Sequence, residues 1–92
     1  MSMSVFTDNT ERHRYELAAP EGVSFAEYRD VGGVRVILHV ETPVAARGRG
    51  YAMRLMDAIV GKARAENTKL RASCSYAVAY FRRHPATADV LA

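Results

Sequence analysis

The sequence predicts an α/β fold in which an antiparallel three-strand meander is followed by a β-α-β unit and a C-terminal helix. The first half of the chain holds three runs with strand-like alternation, separated by turn signals at residues 20–22 and 31–33. From residue 48 onward the apolar residues recur with a helical period. A short strand pattern and a second helical pattern follow. Tight turns join antiparallel strands, whereas a helix between two strands makes a crossover between parallel ones.

The three strands of the meander are predicted at residues 12–19, 23–30 and 34–42. The third has the clearest alternation, and Pro43 ends it. Because side chains alternate across a strand, one face of this strand holds Val34, Val36, Leu38 and Val40. The other face holds Arg35, Ile37, His39 and Glu41.

The first helix is predicted from Gly48 to about residue 66, with Asn67 as its C-cap. Its apolar stripe consists of Ala52, Leu55, Met56, Ile59, Val60 and Ala63. A short strand follows at residues 69–73. The second helix is predicted at residues 75–84, with Ser75 or Ser73 as its N-cap and Pro85 preventing its extension. We expect the tail after it to pack loosely.

The β-α-β unit brings three chemically interesting segments to one edge of the sheet. Its crossover is expected to be right-handed and its strands parallel. The end of the third strand (His39 to Thr42), the start of the first helix and Cys74 then lie at the same edge. Open α/β sheets bind their ligands at that edge. We therefore expect the functional site there.

Length and composition predict a single globular domain. The 92 residues predict one domain spanning residues 1–92, and the hydrophobic content of 49% is typical of globular proteins. There is no apolar run long enough for a membrane span and no signal-peptide pattern at the start, so neither is expected. One cysteine is in keeping with a reducing compartment, and we expect a cytoplasmic location.

The positive charge is concentrated in the second half of the chain. Residues 1–46 carry four arginines and seven acidic residues, and residues 47–92 carry nine basic and three acidic residues. A solvated helix surface is one explanation. Nucleic acid is not expected as a partner, because no zinc-finger spacing, RNP-like stretch or long basic run is present. A small anionic ligand fits such a local bias better than a duplex does.

The stretch RGRGYA, residues 47–52, has the character of an anion-binding loop. Glycine lets the backbone approach a ligand closely, arginine favours an anion, and a helix start offers free N–H groups. A dinucleotide-binding fingerprint would need glycine where Met53 stands, and a P-loop would need Gly-Lys-Ser/Thr. Two interpretations of the loop stay open. It is either an anion-binding site made of successive backbone N–H groups at the positive end of a helix, or a glycine-rich turn without function.

This loop also carries a family resemblance. Arg47-x-x-Gly50-x-Ala52 resembles the Arg/Gln-x-x-Gly-x-Gly/Ala signature of the GNAT (GCN5-related N-acetyltransferase) superfamily. The chain further resembles the small single-domain GNAT-like proteins in His39, in GRG at residues 48–50, in Cys74 and in YFRRHP at residues 80–85. The resemblance covers roughly residues 12–90. It implies a minimal GNAT-like fold that binds acetyl-CoA (coenzyme A), with the pyrophosphate on the loop.

The implied binding residues extend from the end of the third strand into the first helix. They are Thr42, Arg47, Gly48, Arg49, Gly50, Tyr51 and Ala52. The resemblance implies that backbone near Thr42 bonds the pantetheine arm between two splayed strands. Backbone N–H groups of residues 48–52 would hold the pyrophosphate, and Arg47 and Arg49 would add charge.

Three residues are candidates for the chemistry, each with a structural alternative. Cys74 is either a small core residue or, as the resemblance implies, a residue beside the CoA sulfur that accepts the acetyl group or lines the thioester. His39 is either packed or solvated, or a general base for the incoming amine. Tyr80 is either part of a buried stripe or, by the resemblance, the acid that protonates the departing thiolate.

The expected function is therefore transfer of an acetyl group from acetyl-CoA to an amine acceptor that the sequence does not identify. The chain has little room for an acceptor pocket, so an exposed amine or a partner that completes the site is expected. Two alternatives stay open: a CoA-binding or acyl-CoA-binding module without turnover, and a basic nucleic-acid-binding domain. No metal site and no membrane partner are expected.

Overall fold

The computed structural model describes residues 4–92, in which five strands form one sheet in sequence order. The strands are β1 (Val5–Asn9), β2 (Arg14–Ala19), β3 (Gly22–Val31), β4 (Val34–Glu41) and β5 (Lys69–Ala72). Strands β1 to β4 pair antiparallel, and β4 and β5 pair parallel. The helices are α1 (Tyr51–Glu66) and α2 (Ser75–Arg83), with short 3-10 turns at Val44–Ala46 and Pro85–Val90. The predicted α/β fold, with a meander followed by a β-α-β unit and a helix, is confirmed.

One face of the sheet meets the helices and forms the core. Helix α1 packs on β2 and β3, and α2 packs on β4 and β5. The side chains of Ile37, Leu55 and Ile59 are 0% exposed. Burying an aliphatic side chain of this size contributes about 1.5–3 kcal/mol. Helix α1 begins at Tyr51 rather than at Gly48, and Asn67 is its C-cap in the left-handed conformation. Its predicted stripe is buried except at Ala52, which is partly exposed, and Tyr51 joins the buried face. Within residues 4–92 no helix is both long and apolar enough to cross a membrane.

Strand β1 is an addition to the predicted meander. The ring of Phe6 stacks on that of Tyr15 with the centroids 5.7 Å apart, which anchors β1 on β2. The predicted meander of three strands therefore has four. Residues 5–9 carry only a weak alternation, so the stabilising contacts come from the neighbouring strand rather than from a pattern within β1.

Arg35 ties the first four strands together beside the core. Its guanidinium pairs with Asp30 at 2.7 Å and Asp8 at 3.3 Å, and it donates to the Tyr15 hydroxyl at 3.0 Å. It also lies over the Tyr28 ring, 4.0 Å from the centroid. The Arg35 guanidinium holds the pKa of Asp30 below its ordinary value. These partly buried charges are mutually satisfied, so we assign the cluster to fold stability.

A β-bulge reverses the side-chain phase of β4. Tyr28 pairs with Ile37 and Glu27 pairs with His39, which leaves Leu38 as an extra residue. As a result Ile37 and Val40 face the core, whereas His39 faces the opposite side of the sheet. The prediction that Ile37 and His39 share a face is therefore wrong, because uninterrupted alternation does not hold through the bulge.

Two predictions about the end of the chain are also wrong. The N-cap of α2 is Cys74, rather than Ser73 or Ser75. The tail does not pack loosely: Thr87 and Val90 are buried, and Leu91 forms a parallel bridge with Leu70. The tail is held by backbone pairing as well as by apolar contact, because the Ala92 N–H donates to the Leu70 carbonyl at 2.9 Å.

Candidate functional site

The two parallel strands separate at the edge where the site was expected. Pairing between β4 and β5 ends at Ile37 and Ala72. The N–H and the hydroxyl of Ser73 both donate to the Ile37 carbonyl, at 3.0 and 3.3 Å, and close the ladder. Among the described residues, positions 38–41 of β4 then have no strand partner on the β5 side. The chain thus presents a gap between its parallel strands, close to the start of both helices.

The glycine-arginine loop, residues 47–50, leads into α1 with two glycines in the left-handed conformation. Gly48 has φ +75° and Gly50 has φ +79°, values that side chains disfavour. Gly50 is the N-cap of α1, and no side-chain hydrogen bond caps the helix. A Cβ built on Gly50 meets no atom within 4 Å. The positive end of α1 is therefore open to a ligand at this point.

The turn between β2 and β3 holds this loop in place. Glu21 accepts a hydrogen bond of 2.8 Å from the Tyr51 hydroxyl and lies 3.6 Å from the Arg49 guanidinium. The hydrogen bond from Tyr51 lowers the pKa of the Glu21 carboxyl, which keeps it ionised. A Cβ on Gly22 would lie 2.9 Å from Pro43 Cγ, so glycine is required for the close approach of the two segments.

A cavity of about 270 Å³, the loop cavity, opens in front of α1. Arg47 lies beside it and donates to the Thr42 carbonyl at 3.3 Å. The Thr42 hydroxyl oxygen is buried and has no hydrogen-bond partner among the residues that the structure describes. The cavity walls are Thr42, Ala46, Arg47, Gly48, Gly50, Tyr51, Ala52, Met53 and Tyr76. Six of the seven predicted binding residues thus line one cavity, whereas Arg49 turns to Glu21.

Cys74 lies at the start of α2 and is half-buried against the core. Its sulfur accepts a hydrogen bond of 3.3 Å from the Ala77 N–H and so caps the helix. Cys74 therefore has a structural role, which the contact shows, and its sulfur lies at the positive end of α2.

His39 lies on the uncovered face of the sheet. Its Nε2 is 3.1 Å from Glu41 Oε1, and its ring meets that of Phe25 edge-on at 6.3 Å. The imidazole is about half exposed. Among the described residues, no hydrogen bond joins His39 to Cys74: His39 bonds Glu41, and Cys74 bonds the Ala77 N–H.

Tyr80 faces α1. Its hydroxyl donates to Asp57 at 2.6 Å, and its ring stacks on His84 with the centroids 4.2 Å apart. Burial raises the pKa of Tyr80 well above its ordinary value, and the hydrogen bond to Asp57 raises it further. The contacts of Tyr80 are thus those of a residue that joins the two helices.

A second cavity of about 450 Å³, the interhelical cavity, adjoins the loop cavity. The two share Met53 and Tyr76, whose exposed fractions of 47% and 41% are large for apolar and aromatic side chains. Its walls are Met53, Tyr76, Ala79, Tyr80, Arg83 and His84. Sequence reasoning missed Glu21, Met53 and Tyr76. Only Met53 carried a signal, since it is an apolar residue outside the buried stripe of α1.

The comparisons with known proteins agree with this geometry. The sequence model of a family described as GCN5-related N-acetyl-transferase matches residues 14–90. The solution NMR structure of a GCN5-like candidate N-acetyltransferase from Staphylococcus aureus superposes with a TM-score of 0.69. The two chains are 24% identical, and the match covers 96% of this chain and 87% of the other. This likeness shows a shared fold. No curated protein matched the chain.

Proposed function

The chain belongs to the GCN5-related N-acetyltransferase family, and from this premise we propose that it transfers the acetyl group of acetyl-CoA to an amine. Family membership supports acetyl transfer in general. The observation that carries the proposal for this chain is the uncapped start of α1, which opens on the loop cavity beside the gap between β4 and β5. An anionic ligand bound there would have its extended arm directed at the strand gap.

The loop residues fit the diphosphate of CoA. A side chain at Gly50 would project into open space in front of the helix, which is the volume that a phosphate would fill. Arg47 lies at the wall of the same cavity and can pair with the diphosphate. Arg49 could join it by leaving Glu21, since their separation of 3.6 Å is that of a weak, exposed ion pair. The buried Thr42 hydroxyl has a free hydrogen-bonding capacity toward the pantetheine arm.

In the proposed reaction an amine attacks the carbonyl carbon of the thioester. A C–N bond forms, the C–S bond breaks, and the thiol of CoA leaves. The imidazole of His39 would accept the proton that the ammonium must lose before it can attack. The Cys74 sulfur, at the start of α2, would line the thioester or accept the acetyl group. Tyr80 would protonate the departing sulfur only after its hydroxyl had left Asp57.

The acceptor is proposed to be an exposed amine. Within residues 4–92, no helix packs on the face of the sheet that carries His39, so a bulky acceptor such as a protein side chain can reach it. A partner protein could complete the acceptor site on this face. A cytoplasmic location fits the single thiol, which stays reduced there.

Calorimetric titration with acetyl-CoA tests the binding step. Wild-type protein should bind, and Gly50→Glu should not, because a carboxylate would then occupy the phosphate position. Gly33→Glu is the matched control, since Gly33 has φ +80°, open surroundings and a place at the β3–β4 turn. Equal binding by all three proteins would contradict the proposal.

A CoA-binding module without turnover is the alternative function. It is favoured by one observation: Cys74 is engaged as a helix cap, and no hydrogen bond among the described residues joins it to His39. Release of CoA from acetyl-CoA in the presence of a panel of amines separates the two functions. Turnover that depends on Cys74 or His39 supports the transferase, whereas tight binding with no release above the Cys74→Ala variant supports the module.

A further inference from the structure

The interhelical cavity is larger than the loop cavity and adjoins it, since Met53 and Tyr76 line both. CoA is a linear molecule in which the diphosphate separates the pantetheine arm from the 3′-phosphoadenosine. If the diphosphate lies on α1 and the arm enters the gap between β4 and β5, the nucleoside must leave on the other side. The interhelical cavity adjoins the loop cavity and can receive it. Its volume of about 450 Å³ falls in the range of about 300–1,000 Å³ typical of small-molecule sites.

The walls of this cavity suit a planar aromatic base. The side chains of Tyr76 and Met53 are partly exposed, and the stacked rings of Tyr80 and His84 line the same cavity, with Tyr80 buried. Aromatic faces stack on nucleobases, and such contacts are independent of base sequence. A thioether adapts to the edge of a ring.

Arg83 adds an unsatisfied cation to these walls. Within residues 4–92 it makes no hydrogen bond or ion pair, although it lies close enough to Tyr76 to lower that hydroxyl's pKa against the effect of burial. The nearby carboxylate of Asp57 accepts its hydrogen bond from Tyr80 instead. A guanidinium without a carboxylate partner is well suited to a phosphate, which it binds in bidentate fashion.

We propose that the interhelical cavity holds the adenine ring of CoA and that Arg83 pairs with its 3′-phosphate. This inference rests on the proposed binding of CoA to the loop. It assigns the basic C-terminal end of α2 a role in distinguishing CoA from nucleotides that lack this phosphate. Tyr76 then contacts both halves of the ligand, because it lines both cavities.

The test compares CoA with dephospho-CoA, which lacks only the 3′-phosphate. Calorimetric titrations at low salt are made on the wild type, Arg83→Gln and Arg82→Gln. Arg82 is the matched control: it carries the same charge on the same helix turn and shares with Arg83 the wall of a cavity near Ser73 and Ser75, but it does not line the interhelical cavity. We expect the wild type and Arg82→Gln to prefer CoA by about tenfold, the size of one charge-assisted hydrogen bond, and Arg83→Gln to show no preference.

The results separate the two proposals. Equal loss of CoA and dephospho-CoA affinity in Arg83→Gln, or an equal effect of Arg82→Gln, would overturn the assignment of Arg83 while leaving CoA binding intact. A wild type that binds both nucleotides equally would do the same. Absence of any CoA binding by the wild type would instead overturn the proposed function and this inference with it. Because both arginines are exposed, neither variant is expected to lose its fold, and circular dichroism checks this.

Discussion

Replacing Gly50 by alanine separates the backbone role of this glycine from its role toward a ligand. At φ +79° and ψ 13°, an alanine would be held in the left-handed conformation. That costs an L-residue about 1–2 kcal/mol. Apart from its chain neighbours, no atom of residues 4–92 lies within 4 Å of the new Cβ, so overlap with other residues adds nothing to this cost. Each kcal/mol lowers the Tm of a domain of this size by about 4–8 °C.

The same methyl group would displace a bound phosphate from the start of α1. Loss of one charge-assisted hydrogen bond, about 1.5–3 kcal/mol, weakens CoA binding about 10- to 150-fold. Gly33→Ala is the control, because Gly33 has φ +80° and equally open surroundings at the other end of β4. It should lower the Tm by a similar amount and leave the affinity for CoA unchanged.

Thermal unfolding and calorimetric titration of both variants decide the matter. The reasoning is refuted if Gly50→Ala binds CoA as tightly as Gly33→Ala does, since the glycine-arginine loop would then not contact the ligand. It is also refuted if both variants lose affinity equally, since the loss would then come from general destabilisation.

Three further outcomes are expected. Ile37→Val should lower the free energy of unfolding by about 0.5–1.5 kcal/mol in urea titrations, because Ile37 is 0% exposed in the core; an unchanged midpoint would contradict this packing. Cys74→Ser should keep the cap of α2 and the wild-type Tm, whereas Cys74→Ala should lower the free energy of unfolding by about 0.5–2 kcal/mol. Equal stability of the two variants would contradict the capping role. Loss of acetyl transfer in both variants would show that the thiol itself is needed. The raised pKa of Tyr80 contributes stability that is complete below the ordinary value of 10.0 and is lost as the pH rises above it. Alkaline unfolding curves of Tyr80→Phe should therefore fall less steeply above pH 10 than those of the wild type, and identical slopes would contradict the raised pKa of Tyr80.

Elements whose pattern lies within their own residues could be predicted from the sequence. The stripe of α1 and the cap at Asn67 lie within one segment, and both are found as predicted apart from the partly exposed Ala52. The glycine-arginine loop could be singled out as a candidate anion site because its glycines and arginines stand together at a strand-to-helix junction. Strand β1 could not be predicted in this way, because its anchor is the ring of Tyr15 on the next strand.

The bulge at Leu38 explains why the face of β4 that carries His39 was predicted wrongly. Its position depends on pairing with β3, and alternation along β4 contains no sign of it. His39 therefore lies on the other face from the one that it was expected to share with Ile37. The contacts of Glu21 with Tyr51 and Arg49 likewise join residues about 30 positions apart, which no local pattern reveals.

The capping sulfur has a practical consequence for anyone who wishes to follow this protein by fluorescence. A chain with one cysteine invites maleimide labelling, and Cys74 is that cysteine. Alkylation would attach a bulky group to the sulfur that accepts the hydrogen bond from the Ala77 N–H, so the dye would loosen the first turn of α2. Tyr76 belongs to that turn and lines the loop cavity. A dye on Cys74 would therefore disturb the cavity whose occupation it was meant to report.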